Sequence, residues 1–522
     1  MKPELDTPLT KEETQKRPWW LIGIAIIFLI HVAFFLIYWI LNPSLAATTN
    51  SYLFNLTHLK IPYVAIILSL FCLVGIWAIV IILSSLKNVS RPLKKTRGRR
   101  RAFVCVAIVF LVIFYAVLFI ITRLDQSQVS VLMRILDLVR IVTDTALLIF
   151  LAILVNIVFT RLLKTNHRLS NKQMPIVVIL TLVFAIAWVL PLIFRPAWVY
   201  QGEIPAKPKI LAHRGASMIS PENTLVSLDL AAENGAYGFE SDLRTSKDGK
   251  QFLMHDDTMK RTTNIAEVYP GRENQLAEDF TFAEIEKLNA GWWFILNDPY
   301  KSIKNGLITQ EELTEYQAQK VPTLEEVLTA IKQKGLVLMY DLRSPAKTHP
   351  FFGKDFELTY DLIKNAKVED QVWLILEPNQ IQRIYQETPG ITRVAGVNSG
   401  VENSAGFFVD LGYQVINTDK AISREAIHEY QTAGLKVNVY VIDEPWLFSQ
   451  FWLDGVNSIT SNNIHNLKDL KAPVVCLSLT YYVILWSLLG ILLVLWILSP
   501  WIIKHKPIEN HDEENDDQAM NS

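Results

Sequence analysis

The sequence predicts a six-span α-helical transmembrane bundle with an α/β, TIM-type (β/α)8 barrel inserted between spans five and six. Three observations predict it. Apolar runs near 20 residues long are concentrated before Tyr200 and after Val474. The stretch between them alternates short apolar runs with amphipathic segments. Basic residues gather in two of the short loops between the apolar runs.

The spans come first. The chain has 522 residues, 51% hydrophobic and 19% charged, long enough for two or three domains. Runs at 19–41, 61–83, 102–121, 141–159, 174–194 and 477–503 are each long enough, as helices, to cross a hydrocarbon core of about 30 Å. The fourth carries Asp144 and Asn156. The first is too long for a signal-peptide core and has no convincing cleavage site, so it reads as an anchor. His31 and Asp144, polar residues inside spans, read as packing or interfacial groups rather than an ion path. Cys72, Cys105 and Cys476 all lie in or beside apolar runs, so the central domain must be stable without disulfides.

Orientation follows from the basic loops. Lys87, Arg91, Lys94, Lys95, Arg97, Arg99, Arg100 and Arg101 lie between spans two and three, and Arg161, Lys164, Arg168 and Lys172 between four and five. Both loops are expected on the cytoplasmic side. The loop between spans one and two offers only Lys60 and an Asn55-Leu56-Thr57 sequon, which suits the outside and makes Asn55 a glycosylation candidate. The expected organisation is a cytoplasmic tail 1–18, five helices within 19–200, a soluble domain 204–471, a sixth helix 477–503 and an acidic cytoplasmic tail 504–522. A multi-pass protein of the plasma membrane is expected, with both termini inside and the soluble domain outside. The net charge of −1 does not identify a partner, because the charges are segregated along the chain.

In the soluble domain, strands are expected at 210–213, 237–244, 251–255, 336–342, 371–376, 393–397, 413–418, 437–442 and 458–460. Helices are expected at 225–234, 324–334, 356–365, 424–433 and 445–452. Alternation of this kind predicts a parallel sheet with crossover helices. About eight strands in some 260 residues fit a closed barrel with its active site at the carboxyl ends of the strands. Periodicity alone leaves an open doubly wound sheet as an alternative, although no glycine-rich dinucleotide turn is present. The polar segment 263–321 is expected to be an insertion over the barrel mouth.

The residues that carry chemistry fall at the predicted strand ends. His213-Arg214-Gly215 closes the first strand. Glu240 and Asp242 are two apart on the next and so share a face. His255-Asp256 follows, and Asp341 and Arg343 repeat the two-residue spacing after the insertion. Singly, each pair reads as a solvated edge or a turn. Convergence of two histidines, three acids and two arginines on one end of a barrel reads as a site. Glu240, Asp242 and Asp341 are hard oxygen donors suited to Ca²⁺ or Mg²⁺. A cation beside arginines would clamp a phosphodiester, with the histidines as base for the nucleophile and acid for the leaving alkoxide.

At these residues the chain resembles the glycerophosphodiester phosphodiesterase family. The matching stretches are LAHRG from Leu211, PENT at Pro221–Thr224, FESDLRTSKDGKQFLMHDD, and RTTN ending at Asn264. Further on, VPTLEEVL, YDLRSP and VYVIDEPWLF are similar to the multi-span branch whose catalytic domain is external. The resemblance implies a TIM-type barrel, a divalent cation, and hydrolysis of glycerol-linked phosphodiesters. His213 and His255 match its essential histidines, Arg214 its phosphate-binding arginine, and Glu240 and Asp242 its metal ligands, with His255 a second candidate for the metal. Arg343, Glu222, Asn223 and Tyr440 are expected to line the substrate site. Some relatives in this branch act on glycosylphosphatidylinositol anchors, so the expected partners are a glycerophosphodiester or lipid-linked diester and the membrane, with no nucleic acid. PENT also has a local reading: Pro221 in the first turn of a helix and Glu222 at its positive end.

The sequence departs from the family in three places. The acid and lysine usual after the insertion are Asp341 and Arg343, the usual asparagine of the late strand motif is Asp443, and the usual final aspartate is Asn462. Asp443 is expected to favour uncharged, hydroxyl-rich head groups, and Trp292 and Trp293 either stack on such a group or fill the core of the insertion. The rival reading from another class is a membrane receptor that kept the barrel and lost turnover. Retention of both histidines and both principal acids argues against it.

Overall fold

The computed structural model describes residues 19–59, 61–87, 97–124, 127–164, 174–398 and 403–504. The tail 1–18, the tail from 505 onward, Lys60, and the loop residues Arg91, Lys94, Lys95, Arg168 and Lys172 lie outside the described residues. The chain divides into two compact units, Met1–Met133 with Pro205–Val474, and Arg134–Ile204 with Val475–Ser522.

Five helices are long and apolar enough to cross a membrane: Leu21–Leu41, Tyr63–Ser85, Gln128–Arg161, Met174–Ile193 and Leu479–Pro500. They mark a membrane protein. The span expected at 102–121 lies on helix Arg97–Leu124, but its described apolar stretch, Arg101–Val117, is shorter than the other five. A full set of six spans is therefore not reached among the described residues.

In the first unit, the helices Trp19–Leu41, Tyr63–Lys87 and Arg97–Leu124 interlock through edge-on aromatic pairs such as Phe28 with Phe103 and Phe35 with Phe114. His31 belongs to this packing: its Nδ1 lies 2.8 Å from the Ile27 carbonyl and its Nε2 2.8 Å from the Tyr115 hydroxyl. In the second unit, Leu148, Leu151, Ala152, Phe184, Trp486 and Ile497 form a buried cluster. Asp144 pairs with Arg140 one turn back at 3.4 Å.

The strands in chain order are β1 (Val199–Tyr200), β2 (Lys209–His213), β3 (Gly238–Thr245), β4 (Gln251–Leu253), β5 (Val337–Leu342), β6 (Val372–Ile375), β7 (Thr392–Val397), β8 (Val415–Asp419), β9 (Lys436–Tyr440), β10 (Ser458–Ser461) and β11 (Leu477–Ser478). β1 and β11 pair in parallel within the second unit. In the first unit β2, β3, β5, β6, β7, β8, β9 and β10 run parallel in sequential order, and β10 pairs back onto β2 through Ser458 opposite Lys209. That last pairing closes the sheet into an eight-stranded barrel and excludes the open doubly wound alternative. The segment expected as a strand at 251–255 is β4, which runs antiparallel to β3 and stands outside the ring.

Strand periodicity divides the interior into two levels. Leu211, Val337, Met339, Trp373, Val394 and Val415 form a buried apolar cluster, and each such side chain contributes about 1.5–3 kcal/mol on burial. Two residues further along a strand, a side chain points the same way. His213 therefore follows Leu211 and Asp341 follows Met339 on the inner face. Register sets His213 beside Glu240 and Asp242 beside Asp341. The apolar plug lies below, and the polar groups emerge at the carboxyl ends above it.

The segment 263–321 carries short helices at Ile265–Val268, Phe282–Ile285, Trp292–Asn297 and Gln310–Gln317. Thr281 with Glu284, Thr309 with Glu312, and Thr323 with Glu326 form capping boxes, the reason a Thr-x-x-Glu spacing recurs there. Trp293 is buried with Val226, Phe294, Ile308 and Tyr316, and Trp292 packs against the same cluster. The core-filling reading of these tryptophans is the one realised. Helices Pro378–Glu387 and Ala405–Leu411, unassigned from sequence, complete crossovers after β6 and β7.

Candidate active site

The turn after β2 shapes the mouth. Arg214 and Gly215 both have positive φ, 53° and 91°. A Cβ on Gly215 would come within 2.2 Å of Ser227 Oγ, so the turn excludes any side chain there. The reversal lets the Arg214 backbone N–H donate to the Glu240 carbonyl at 2.8 Å, and brings its guanidinium to Asp242, with Nε 3.1 Å from Oδ2.

PENT supports that arginine. The helix begins only at Leu225, capped by Thr224 and Ser227, so Pro221 precedes it instead of occupying its first turn. Glu222 receives Arg214 at 3.0 Å and Arg261 at 2.7 and 2.9 Å. Against the opposing effect of burial, the Arg261 and Arg214 guanidinia hold the Glu222 carboxyl below its ordinary range. Asn223 accepts from Ser241 Oγ at 2.7 Å and donates to Asp242 Oδ2 at 3.4 Å. Both PENT side chains thus brace Arg214 and Asp242.

Three carboxylates crowd the floor of the mouth. Burial, reinforced by the charge of neighbouring Asp242, pushes the Glu240 carboxyl up to about 8. Burial also raises the Asp341 carboxyl, against the pull of Arg343. Arg343 NH2 lies across two of the acids, 3.3 Å from Asp242 Oδ1 and 3.0 Å from Asp341 Oδ2. Glu240, Asp242 and Asp341 form an all-oxygen donor set on adjacent strands. Their chemistry fits a hard divalent cation. Among the described residues no three His, Cys, Asp or Glu groups already converge at ligand spacing, and the arginine fork lies between two of the donors.

The two histidines are held differently. His213 Nδ1 lies 2.7 Å from Asn462 Oδ1, and its Nε2 is 3.8 Å from Glu240 Oε2. Burial, with the positive charge of Arg214, lowers the His213 imidazole. His255 Nδ1 lies 2.8 Å from Asp256 Oδ1, and Arg261 clamps Asp256 at 2.6 and 2.9 Å. Hydrogen bonds from His255 and Arg261 outweigh burial and hold the Asp256 carboxyl well below its usual range. His255 also lies within electrostatic reach of Asp341. Tyr440, at the end of β9, feels Asp419, Asp341 and Glu240 and is raised first by its burial.

All the sequence-predicted site residues thus stand at one end of the barrel. Several supporting groups were not foreseen. Asp256 and Arg261 were visible as HDD and RTTN but carried no assigned role. Tyr300, from the insertion, is held above the ordinary phenol range by burial and then by the charges of Asp443 and Glu222. Asp443 accepts from Ser461 Oγ at 3.0 Å, from the Asn462 backbone at 2.7 Å and from Asn462 Nδ2 at 2.8 Å. Its carboxylate is thus hydrogen-bonded to Ser461 and Asn462.

Residues 213–475 match the model of the glycerophosphoryl diester phosphodiesterase family. The chain belongs to this family. It is similar to the glycerophosphoinositol inositolphosphodiesterase GDPD2 of Mus musculus, 33% identical over 335 residues that cover 63% of this chain and 61% of that protein. It is also similar to a glycerophosphodiester phosphodiesterase of Bacillus subtilis, 39% identical over 279 residues, 50% of this chain and 86% of that one. The glycerophosphodiester phosphodiesterase domain-containing protein 5 of Gallus gallus is 32% identical over 61% of this chain and 52% of its own length. The chain therefore spans between half and two thirds of the length of these animal relatives. Among solved structures, an Oleispira antarctica phosphodiesterase in complex with sn-glycerol-3-phosphate aligns with 50% of this chain and 95% of its own, at 23% identity and a TM-score of 0.41.

Proposed function

We propose that this family member hydrolyses glycerophosphodiesters, with glycerophosphoinositol and glycosylphosphatidylinositol-type anchors the favoured substrates, at the outer face of a membrane. The observation that carries the reading is the set of two supported histidines, two arginines and three carboxylates on one barrel mouth.

Arg214, held by Glu222 and Asp242, presents a fixed positive charge to a phosphoryl oxygen; Arg343 adds a second fork. His213 takes the proton of the attacking water as its oxygen bonds to phosphorus and the ester P–O bond breaks. His255, oriented by Asp256, donates one to the leaving alkoxide, which is a poor leaving group without it. Glu240, Asp242 and Asp341 would hold a Ca²⁺ or Mg²⁺ ion, and the bound ion would neutralise charge that develops on the phosphoryl group. Tyr440 and Tyr300 border the space where a head group would lie.

The membrane placement is supported by the basic loops, which favour the cytoplasmic side. The mouth-side residue Trp446 donates its Nε1–H to the Leu41 carbonyl at 2.7 Å, at the end of the first apolar helix. That contact favours substrates presented at a lipid surface. The similarity to the mouse glycerophosphoinositol inositolphosphodiesterase supports an inositol head group. The test is product analysis with the purified full-length chain on glycerophosphoinositol, glycerophosphocholine and glycerophosphoserine, each with Ca²⁺, Mg²⁺ or a chelator. Cation-dependent release of a phosphate monoester, fastest from the inositol diester, is the expected result.

A further inference from the structure

We infer that Asp443 and Asn462 form a directional relay that determines which ring nitrogen of His213 carries the proton. The inference rests on the hydrolase reading above and extends it to positioning residues that do not themselves touch substrate.

Donors and acceptors fix the direction of each contact in turn. Asp443 already accepts three hydrogen bonds, from Ser461 Oγ and from both the backbone and side-chain nitrogens of Asn462. A carboxylate so surrounded offers only acceptors. The Asn462 amide must therefore turn its nitrogen end towards Asp443, and this leaves its oxygen end facing His213. That oxygen lies 2.6 Å from Ser217 Oγ and 2.7 Å from His213 Nδ1. An amide oxygen cannot donate, so the proton in this contact belongs to Nδ1.

The consequence appears on the other side of the ring. Nε2 keeps its lone pair and points towards the mouth, 3.8 Å from Glu240 Oε2. A general base needs that free lone pair. The pair also keeps the full carboxylate charge one residue away from the imidazole, with a neutral amide between. Asn462 is 8% exposed, and the Asn463 side chain donates to the Asp443 carbonyl at 2.8 Å, so the loop has little freedom to rearrange.

The two positions are interchangeable as a pair but not singly. In Asp443→Asn/Asn462→Asp every hydrogen bond has a counterpart. The amide oxygen at position 443 accepts from Ser461 and the backbone N–H of residue 462. Its nitrogen donates to the carboxylate at 462, and that carboxylate accepts from His213 Nδ1–H. Asn462→Asp alone sets two carboxylates against each other where a 2.8 Å hydrogen bond now stands. Asp443→Asn alone removes the constraint that orients the Asn462 amide.

The experiment is a double-mutant cycle on the full-length chain in detergent, with glycerophosphoinositol and glycerophosphocholine as substrates. Asp443→Asn should lower kcat about 10-fold and Asn462→Asp at least ~100-fold, with KM little changed in both. The double exchange should recover kcat to within about 10-fold of wild type, far above the product of the single losses. Losses that multiply in the double variant, or losses that fall on KM alone, would overturn the relay. Wild-type chain without turnover would instead contradict the hydrolase reading. The relay is then judged from melting temperatures, where recovery in the double variant supports it and additive losses overturn it.

Discussion

Glu240 shows how much a single buried carboxylate discloses. Its carboxyl is pushed up to about 8 by burial and by Asp242, so at neutral pH it largely keeps a proton that an ion would have to displace. Cation binding should therefore release a proton and strengthen as pH rises from about 6 towards 8. Calorimetric titration of Ca²⁺ or Mg²⁺ in buffers of different ionisation enthalpy reads both quantities without an assay of activity. Affinity independent of pH across that range would remove Glu240 from the proposed ligand set. At this scale the sequence was partly legible. Pairs two residues apart, such as Glu240 with Asp242 and Asp341 with Arg343, share a face by strand geometry alone. The link from His213 through Asn462 to Asp443 was not legible, because those residues lie on three different strand ends and meet only when the ring closes. Glu222 misled for a related reason: its local setting suggested a helix start, whereas tertiary contacts with Arg214 and Arg261 decide its place.

Among the elements, the junction of β2 with the following loop is the most demanding. Gly215 combines a φ of 91° with a space already filled by Ser227. Gly215→Ala should cost more than about 2 kcal/mol, through backbone strain and displacement of Ser227 in the first turn of the following helix. It should also lower turnover, because the same turn aims Arg214. Thermal melting and steady-state kinetics on one preparation check both, and an unchanged melting temperature would contradict the strain argument. The strands were legible because their apolar runs are short and bounded. Which of the nine expected strands stands outside the ring was not legible, because an apolar run does not reveal its partner; for β4 the partner is the outer part of β3 in antiparallel register. The helix Pro378–Glu387 escaped notice because only Ile381 and Ile384 are buried on it, a stripe too narrow to stand out from polar neighbours. The insertion was legible as an insertion, and Thr-x-x-Glu caps at Thr281 and Thr309 start two of its helices.

For the whole molecule, hydropathy located the membrane helices, five of them full-length among the described residues. The third expected span lies on helix Arg97–Leu124, whose described apolar stretch is Arg101–Val117. Closure of the barrel depended on one long-range pairing, β10 with β2, that no local pattern announces. Topology remains a proposal with a direct check. Protease added to intact cells should cut between Tyr200 and Lys471 and spare the 87–101 loop, and epitope tags at the termini should stain only after permeabilisation. Staining of both termini on intact cells would reverse the orientation. The central claim is that this barrel mouth hydrolyses glycerophosphodiesters with its two histidines. The most direct measurement is turnover of glycerophosphoinositol by purified full-length chain, compared with His213→Ala and His255→Ala in Ca²⁺ or Mg²⁺. Turnover is expected in the wild type and a loss of at least ~10²-fold in each variant, the usual size of a missing general acid or base, with the fold retained by circular dichroism. Folded variants that hydrolyse the diester as fast as the wild type would contradict it.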